Sequence, residues 1–157
     1  MSKNHEKFLF FGVDINIQES LKITLMNFDF SEGQNVNLCL GNSLDILPKL
    51  AKEESKFDVV LLDGDHNYYT VSKELSYLNN LTHDKSLVIV DDYHGRWSEN
   101  DLWYSDRQDY KDISIATKSF TTDKHGVKPA VDEFISNNPS WKLSSFIQGE
   151  PILLSRS

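Results

Sequence analysis

The sequence predicts an α/β fold with a mostly parallel sheet, helices on both faces and a C-terminal antiparallel hairpin. Three observations carry that expectation. Phe57 to Leu62 is a short apolar run that ends abruptly in Asp63-Gly64-Asp65-His66. Ser86 to Val90 repeats the pattern and ends in Asp91-Asp92-Tyr93. Tyr68 to Leu81, between them, is long enough for one crossover helix. Runs of this kind read as strands buried on both faces. In open parallel sheets ligands sit beyond the carboxyl ends of the strands. If the two strands are parallel neighbours, four carboxylates meet at one sheet edge.

The remaining elements follow in order. Phe8 to Ile15 reads as a buried strand with Asp14 near its carboxyl end. Gln18 to Phe28 carries Leu21, Ile23, Leu25, Met26 and Phe28, a pattern compatible with a helix packed on the sheet. Val36 to Leu40 is a further strand, closed by Gly41-Asn42-Ser43. Ser43 is placed to cap the next helix, which runs to about Ala51 with Pro48 in or near its first turn. Val71, Leu75 and Leu78 form the apolar stripe of the crossover helix, and Thr82 to Lys85 turns the chain into the second acidic strand. Cys39 and Met26 read as core with that stripe. His94 to His125 has little periodicity and much aromatic content, the mark of a lid or binding loop. Trp97, Trp103 and Tyr104 either shape a pocket there or pack as the core of the lid. Gly126 to Asn137 is helical again. Trp141 to Phe146 and Pro151 to Leu154, joined around Gln148-Gly149-Glu150, form the closing hairpin.

Bulk properties narrow the function. The 157 residues suit a single domain, and a net charge of −8 argues against a nucleic-acid partner, which needs a basic face. The single cysteine, Cys39, excludes an internal disulfide. No apolar run approaches the roughly 20 residues of a membrane span. The opening residues lack a signal-peptide cleavage pattern, so a cytoplasmic protein is expected.

A series of motifs adds to this: Gly12-Val13-Asp14-Ile15, Gly41-Asn42-Ser43 with Leu47-Pro48, Asp63-Gly64-Asp65-His66 with Tyr69, Asp91-Asp92-Tyr93, and Gly126-Val127-Lys128 with Ala130 to Phe134. Together they resemble class I S-adenosylmethionine-dependent methyltransferases, and within them the metal-dependent O-methyltransferases that act on macrocin and other antibiotic sugars. The resemblance implies a Rossmann-like sheet. It implies that Asp14 binds the ribose hydroxyls of S-adenosylmethionine, that Asn42 and Ser43 lie beside the adenine, and that Asp63 also borders the cofactor. It further implies that Asp63, Asp91 and Asp92 bind Mg²⁺ or another divalent cation, and that Asp65 or His66 takes the proton from a small hydroxylated acceptor, with a sugar among the candidates. Crowded carboxylates repel one another unless a cation compensates, which supports the metal independently.

One departure stands out. The family binds its cofactor through a glycine-rich loop after a first strand, and no Gly-x-Gly occurs here. The expectation is a sheet without its first, central strand, in which the Val-Asp-Ile strand pairs directly with the Asp63 strand. Alternatively a partner chain or a second copy supplies the missing strand. Plainer readings exist for individual residues: Asp14 as a helix cap, Asn42 and Ser43 as an ordinary turn and N-cap. Two other functions compete. One is a non-catalytic or truncated methyltransferase-like remnant. The other is a haloacid-dehalogenase-like phosphatase, suggested by Asp63-Gly64-Asp65 but opposed by Asn67, where that family carries Thr or Val.

Overall fold

The computed structural model describes residues 7–144 and 149–156. Its elements are β1 (Phe8–Asp14), α1 (Glu19–Met26), β2 (Gln34–Leu40), α2 (Ser43–Lys52), β3 (Phe57–Leu62), α3 (Tyr68–Ser76), α4 (Leu78–Leu81), β4 (Thr82–Val90), α5 (Val127–Asn137), β5 (Trp141–Ser144) and β6 (Ile152–Arg156). The strands make two sheets. β1 and β2 pair in parallel, and a separate four-stranded sheet has the order β3-β4-β6-β5. In the latter β3 and β4 are parallel, while β6 runs antiparallel to both β4 and β5. The α/β class and the closing hairpin are therefore present. Phe146 and Gln148, predicted at the hairpin's tip, lie outside the described residues. Among the described residues no helix is long and apolar enough to cross a membrane.

The core lies on one face of the four-stranded sheet. Val71 and Leu75 of α3, Val127 and Val131 of α5, Val88 and Val90 of β4, Trp141 and Leu154 are all essentially buried. The stripe at helical spacing found in the sequence is the one that packs here. Trp141 satisfies its indole N–H on Asn79 Oδ1 at 2.9 Å, so burying this large ring leaves no unpaired donor.

Several expectations fail, for related reasons. The strand at Phe57 is not buried on both faces: Val60 and Leu62 face the core, whereas Val59 and Leu61 are about 60% exposed. β1 is not buried either, since Phe8, Leu9 and Phe10 are all exposed. Nor does β1 pair with β3; each strand ends its sheet. A two-stranded ribbon has too little surface to bury a helix, and α1 has no buried residue. Met26 is 81% exposed and Cys39 half-buried, so neither belongs to the core. The apolar residues of α1 are scattered around its circumference, and without a stripe there is nothing for tertiary packing to select.

Local corrections are smaller. Asn42, not Ser43, caps α2: its Oδ1 accepts from the Leu44 N–H at 2.9 Å. Pro48 sits in the second turn of α2, where it forgoes the backbone hydrogen bond to Leu44. The crossover helix breaks at Tyr77 into α3 and α4. Thr82 to Lys85 already belong to β4, which shifts register against β3 between Phe57 and Val59. The long segment from His94 to His125 is irregular as expected, apart from one 3₁₀ turn at Tyr104–Asp106.

That segment is fixed at its ends. The carbonyls of Trp97 and Ser98 accept from the N–H groups of Val127 and Lys128 at 3.0 and 2.9 Å, capping α5 in place of a side chain. Gly126, with φ +82°, makes this approach possible, because a Cβ there would collide with the Ser98 carbonyl. Asp101 accepts from the N–H groups of Tyr68 and Gly126 at 3.0 and 2.8 Å, which places a carboxylate at the starts of both α3 and α5.

Candidate active site

The register of β3 and β4 creates the site. Leu62 pairs with Val90, and the Asp91 N–H donates to the Leu62 carbonyl at 3.0 Å. The next residue on each strand is then an aspartate, so Asp63 and Asp91 emerge side by side at the carboxyl edge. Burial, and after it the neighbouring Asp91 carboxylate, push the Asp63 carboxyl above its usual range. His66 lies under this pair. One ligand atom each from Asp63, His66 and Asp91 fall within 4.8 Å of one another.

His66 is held from several sides. Its backbone bridges to Leu102, whose N–H donates to the His66 carbonyl at 3.0 Å. Its Nδ1 is 2.5 Å from Asp92 Oδ2, and its Nε2 is 3.4 Å from Asp63 Oδ1. Asp92 is buried and adopts φ +56°, an uncommon backbone state for a residue other than glycine. Two buried atoms at this spot have no hydrogen-bond partner, His66 Nε2 and Asp92 Oδ1. Burying unpaired polar atoms costs free energy that a bound cation or substrate hydroxyl would recover. Oxygen and imidazole donors at one strand edge are also a suitable ligand set for a divalent cation.

Asp65 does something different. Its Oδ1 accepts from the Tyr104 N–H at 2.7 Å, and burial raises its carboxyl above the ordinary value. It thus anchors the long loop over the site, while His66 points its free nitrogen at the acidic pair.

The residues assigned to the cofactor gather beside this cluster, with Asp63 common to both. Asp14, Asn42, Ser43 and Asp63 all line one cavity of about 780 Å³, a volume typical of small-molecule sites. Asp14 accepts from the Asn16 N–H at 2.8 Å, closing a local turn. Besides capping α2, Asn42 donates from Nδ2 to the Ile115 carbonyl and to Thr117 Oγ1 at 2.8 and 2.9 Å. The Ser43 hydroxyl hydrogen-bonds Glu74, a buried carboxyl pushed up to about 7 by desolvation and, to a lesser degree, by the Asp65 charge. Of the three lid aromatics, Trp103 is core: it is buried against Tyr69 and Phe120, with ring centroids at 6.4 and 5.2 Å. Tyr104 lines the cavity.

Sequence reading missed Glu74 and Asp101. Glu74 had a signal, for it interrupts the Val71, Leu75, Leu78 stripe at the spacing of that same face. Asp101 had none, because its partners lie on distant helices.

The sequence profile of the methyltransferase domain matches residues 3–93. Among solved structures the fold is similar to that of the MycE methyltransferase from the mycinamycin biosynthetic pathway. The complex with Mg and SAH aligns at 15% identity and a TM-score of 0.52, over 94% of this chain and 36% of that one. The complex with Mg, SAH and mycinamycin VI aligns at 13% identity and a TM-score of 0.50, over 97% of this chain and 45% of that one. This chain therefore spans less than half the length of either. A search of curated proteins finds no match. The likeness bears out the α/β arrangement, and the profile covers the strand carrying Asp14, the Asp63-Gly64-Asp65-His66 motif and the Asp91-Asp92-Tyr93 motif. By that match the chain belongs to the methyltransferase-domain family.

Proposed function

We propose that this chain is a cytoplasmic S-adenosylmethionine-dependent, divalent-metal-assisted O-methyltransferase acting on a small hydroxylated acceptor. The observation that carries the reading is the convergence of Asp63, His66 and Asp91, with buried unpaired atoms on His66 and Asp92. The similar MycE structures are complexes with Mg and SAH, which agrees with it. Asp63 and Asp91 would hold the cation, with Asp92 Oδ1 adjoining, and Asp14, Asn42 and Ser43 would border the cofactor. When bound, S-adenosylmethionine supplies a methyl group already activated on a sulfonium, and the cation lowers the pKa of an adjacent hydroxyl.

The chain's own work is to orient and deprotonate. His66 donates from Nδ1 to Asp92, which fixes the tautomer and leaves the Nε2 lone pair toward the acidic pair. From there it takes the proton of an acceptor hydroxyl. Asp65 acts through the loop it anchors at Tyr104, a residue that lines the cavity. Isothermal calorimetry tests the reading: S-adenosylmethionine should bind, and bind more tightly with Mg²⁺ present. Absence of both responses would favour the non-catalytic alternative.

A further inference from the structure

Trp97 alone of the three lid aromatics belongs neither to the core nor to the cofactor cavity. It is half-buried and lines a second cavity, of about 630 Å³, with Arg96, Glu99, Asn100, Asp101 and His125. This cavity shares no residue with the one that holds Asp14, Asn42 and Ser43, nor with the Asp63, His66 and Asp91 cluster. Its volume lies within the range of small-molecule sites.

The walls are tied down from behind. The carbonyls of Trp97 and Ser98 are bonded to the start of α5, and the Ser98 hydroxyl donates to the Tyr93 carbonyl at 2.8 Å. Asp101 commits both carboxylate oxygens to the frame: Oδ1 accepts from the N–H groups of Tyr68 and Gly126, and Oδ2 lies 2.6 Å from His125 Nδ1. Two charges of the lining are left over, one of each sign. Arg107 and Arg156 pair with Asp109 and Asp84, whereas Arg96 pairs with no carboxylate among the described residues. Its guanidinium lies instead over the Trp97 ring, 4.7 Å from the centroid. Glu99 makes no ion pair among the described residues either. Its charge reaches Lys128, but that ammonium is already paired with Asp132 at 2.7 Å.

These charges select the ligand. An anion gains Arg96 but faces the Glu99 carboxylate, and a cation gains Glu99 but faces the guanidinium. A neutral ligand displaces water from both charges and pairs neither, which costs free energy. A ligand of both signs pairs both. We propose that this cavity binds a zwitterionic α-amino acid with an apolar side chain. Its carboxylate accepts two parallel hydrogen bonds from Arg96, its ammonium donates to Glu99 and Asn100 Oδ1, and its side chain packs beside the Trp97 indole. Stacking on the indole pre-organises the guanidinium, so less side-chain freedom is lost on binding. The proposal does not rest on methyl transfer, and its readout requires neither cofactor nor metal.

The test titrates L-phenylalanine into the isotope-labelled full chain and follows the Trp97 indole N–H by NMR, assigned with Trp97→Phe. That signal should shift saturably while the indoles of the buried Trp103 and Trp141 stay in place. Phenylacetate, which lacks the ammonium, and phenethylamine, which lacks the carboxylate, should each bind about tenfold more weakly or worse. Arg96→Gln and Glu99→Gln should each lower the affinity for L-phenylalanine by about tenfold or more. Both side chains are exposed, so the remaining spectrum should be unchanged. The proposal is overturned if L-phenylalanine leaves the Trp97 signal unmoved, or if either single-charge analogue or either variant binds as tightly. It is also overturned if glucose shifts the same signal at equal concentration, which would make this a site for neutral hydroxylated rings.

Discussion

Glu74 on α3 reaches the hydroxyl of Ser43 at the start of α2, and this buried contact ties the β1–β2 half of the molecule to the half that carries the acidic site. The carboxyl sits at about 7, against 4.5 for an ordinary glutamate, so the folded chain holds a proton there that the unfolded chain releases. Stability from this group is therefore complete below about pH 4.5 and declines as pH rises through 7. Ionising it costs the folded state about 3 kcal/mol. Glu74→Gln, which imitates the protonated acid, should stabilise the chain by up to that amount at about pH 8 and hardly at all near pH 4.5. Urea unfolding at both pH values checks the prediction; equal effects at the two would refute it.

Asp91 is half-exposed and belongs to the acidic pair, so its charge contributes nothing that the metal-free fold needs. Asp91→Asn should weaken Mn²⁺ binding by roughly tenfold or more while moving metal-free stability by less than about 1 kcal/mol. Calorimetry and thermal unfolding report the two effects. Strong destabilisation with unchanged Mn²⁺ binding would make the residue structural.

Asp92 orients His66 from a backbone conformation that asparagine tolerates well. Asp92→Asn should accordingly fold normally yet lose roughly 10–100-fold in Mg²⁺ affinity or methyl transfer. The measurement pairs circular dichroism with metal titration, and retention of full affinity and activity would remove Asp92 from the site.

Gly126→Ala combines a strained positive φ with a collision against the Ser98 carbonyl that caps α5. The expected cost is about 1–3 kcal/mol in urea unfolding. A neutral result would mean that the loop can yield there without disturbing the helix.

Two deletions separate the true core from the false one. Leu75→Ala removes a side chain with no exposed surface and should cost about 2–5 kcal/mol. Met26→Ala, at a site 81% exposed, should stay within about 0.5 kcal/mol. Comparable losses from the two would show that α1 is packed in solution.

The sequence by itself determined what depends on local pattern. A short apolar run ending in carboxylates reads as a strand with a site at its tip, and two such runs one crossover apart are expected to be parallel neighbours, which is the pairing that brings Asp63 and Asp91 together. The stripe of Val71, Leu75 and Leu78 likewise named its own buried face. Only the tertiary structure decided which apolar residues found a partner. Phe8, Val59 and Met26 carry the same chemistry as Val71 and Leu75, but burial needs a second surface, and no described element covers them. It also decided that Asp65 holds a loop, that Asp92 orients His66, and that Glu74 becomes a buried acid. These roles are set by residues far away in the chain, and periodicity cannot encode such contacts.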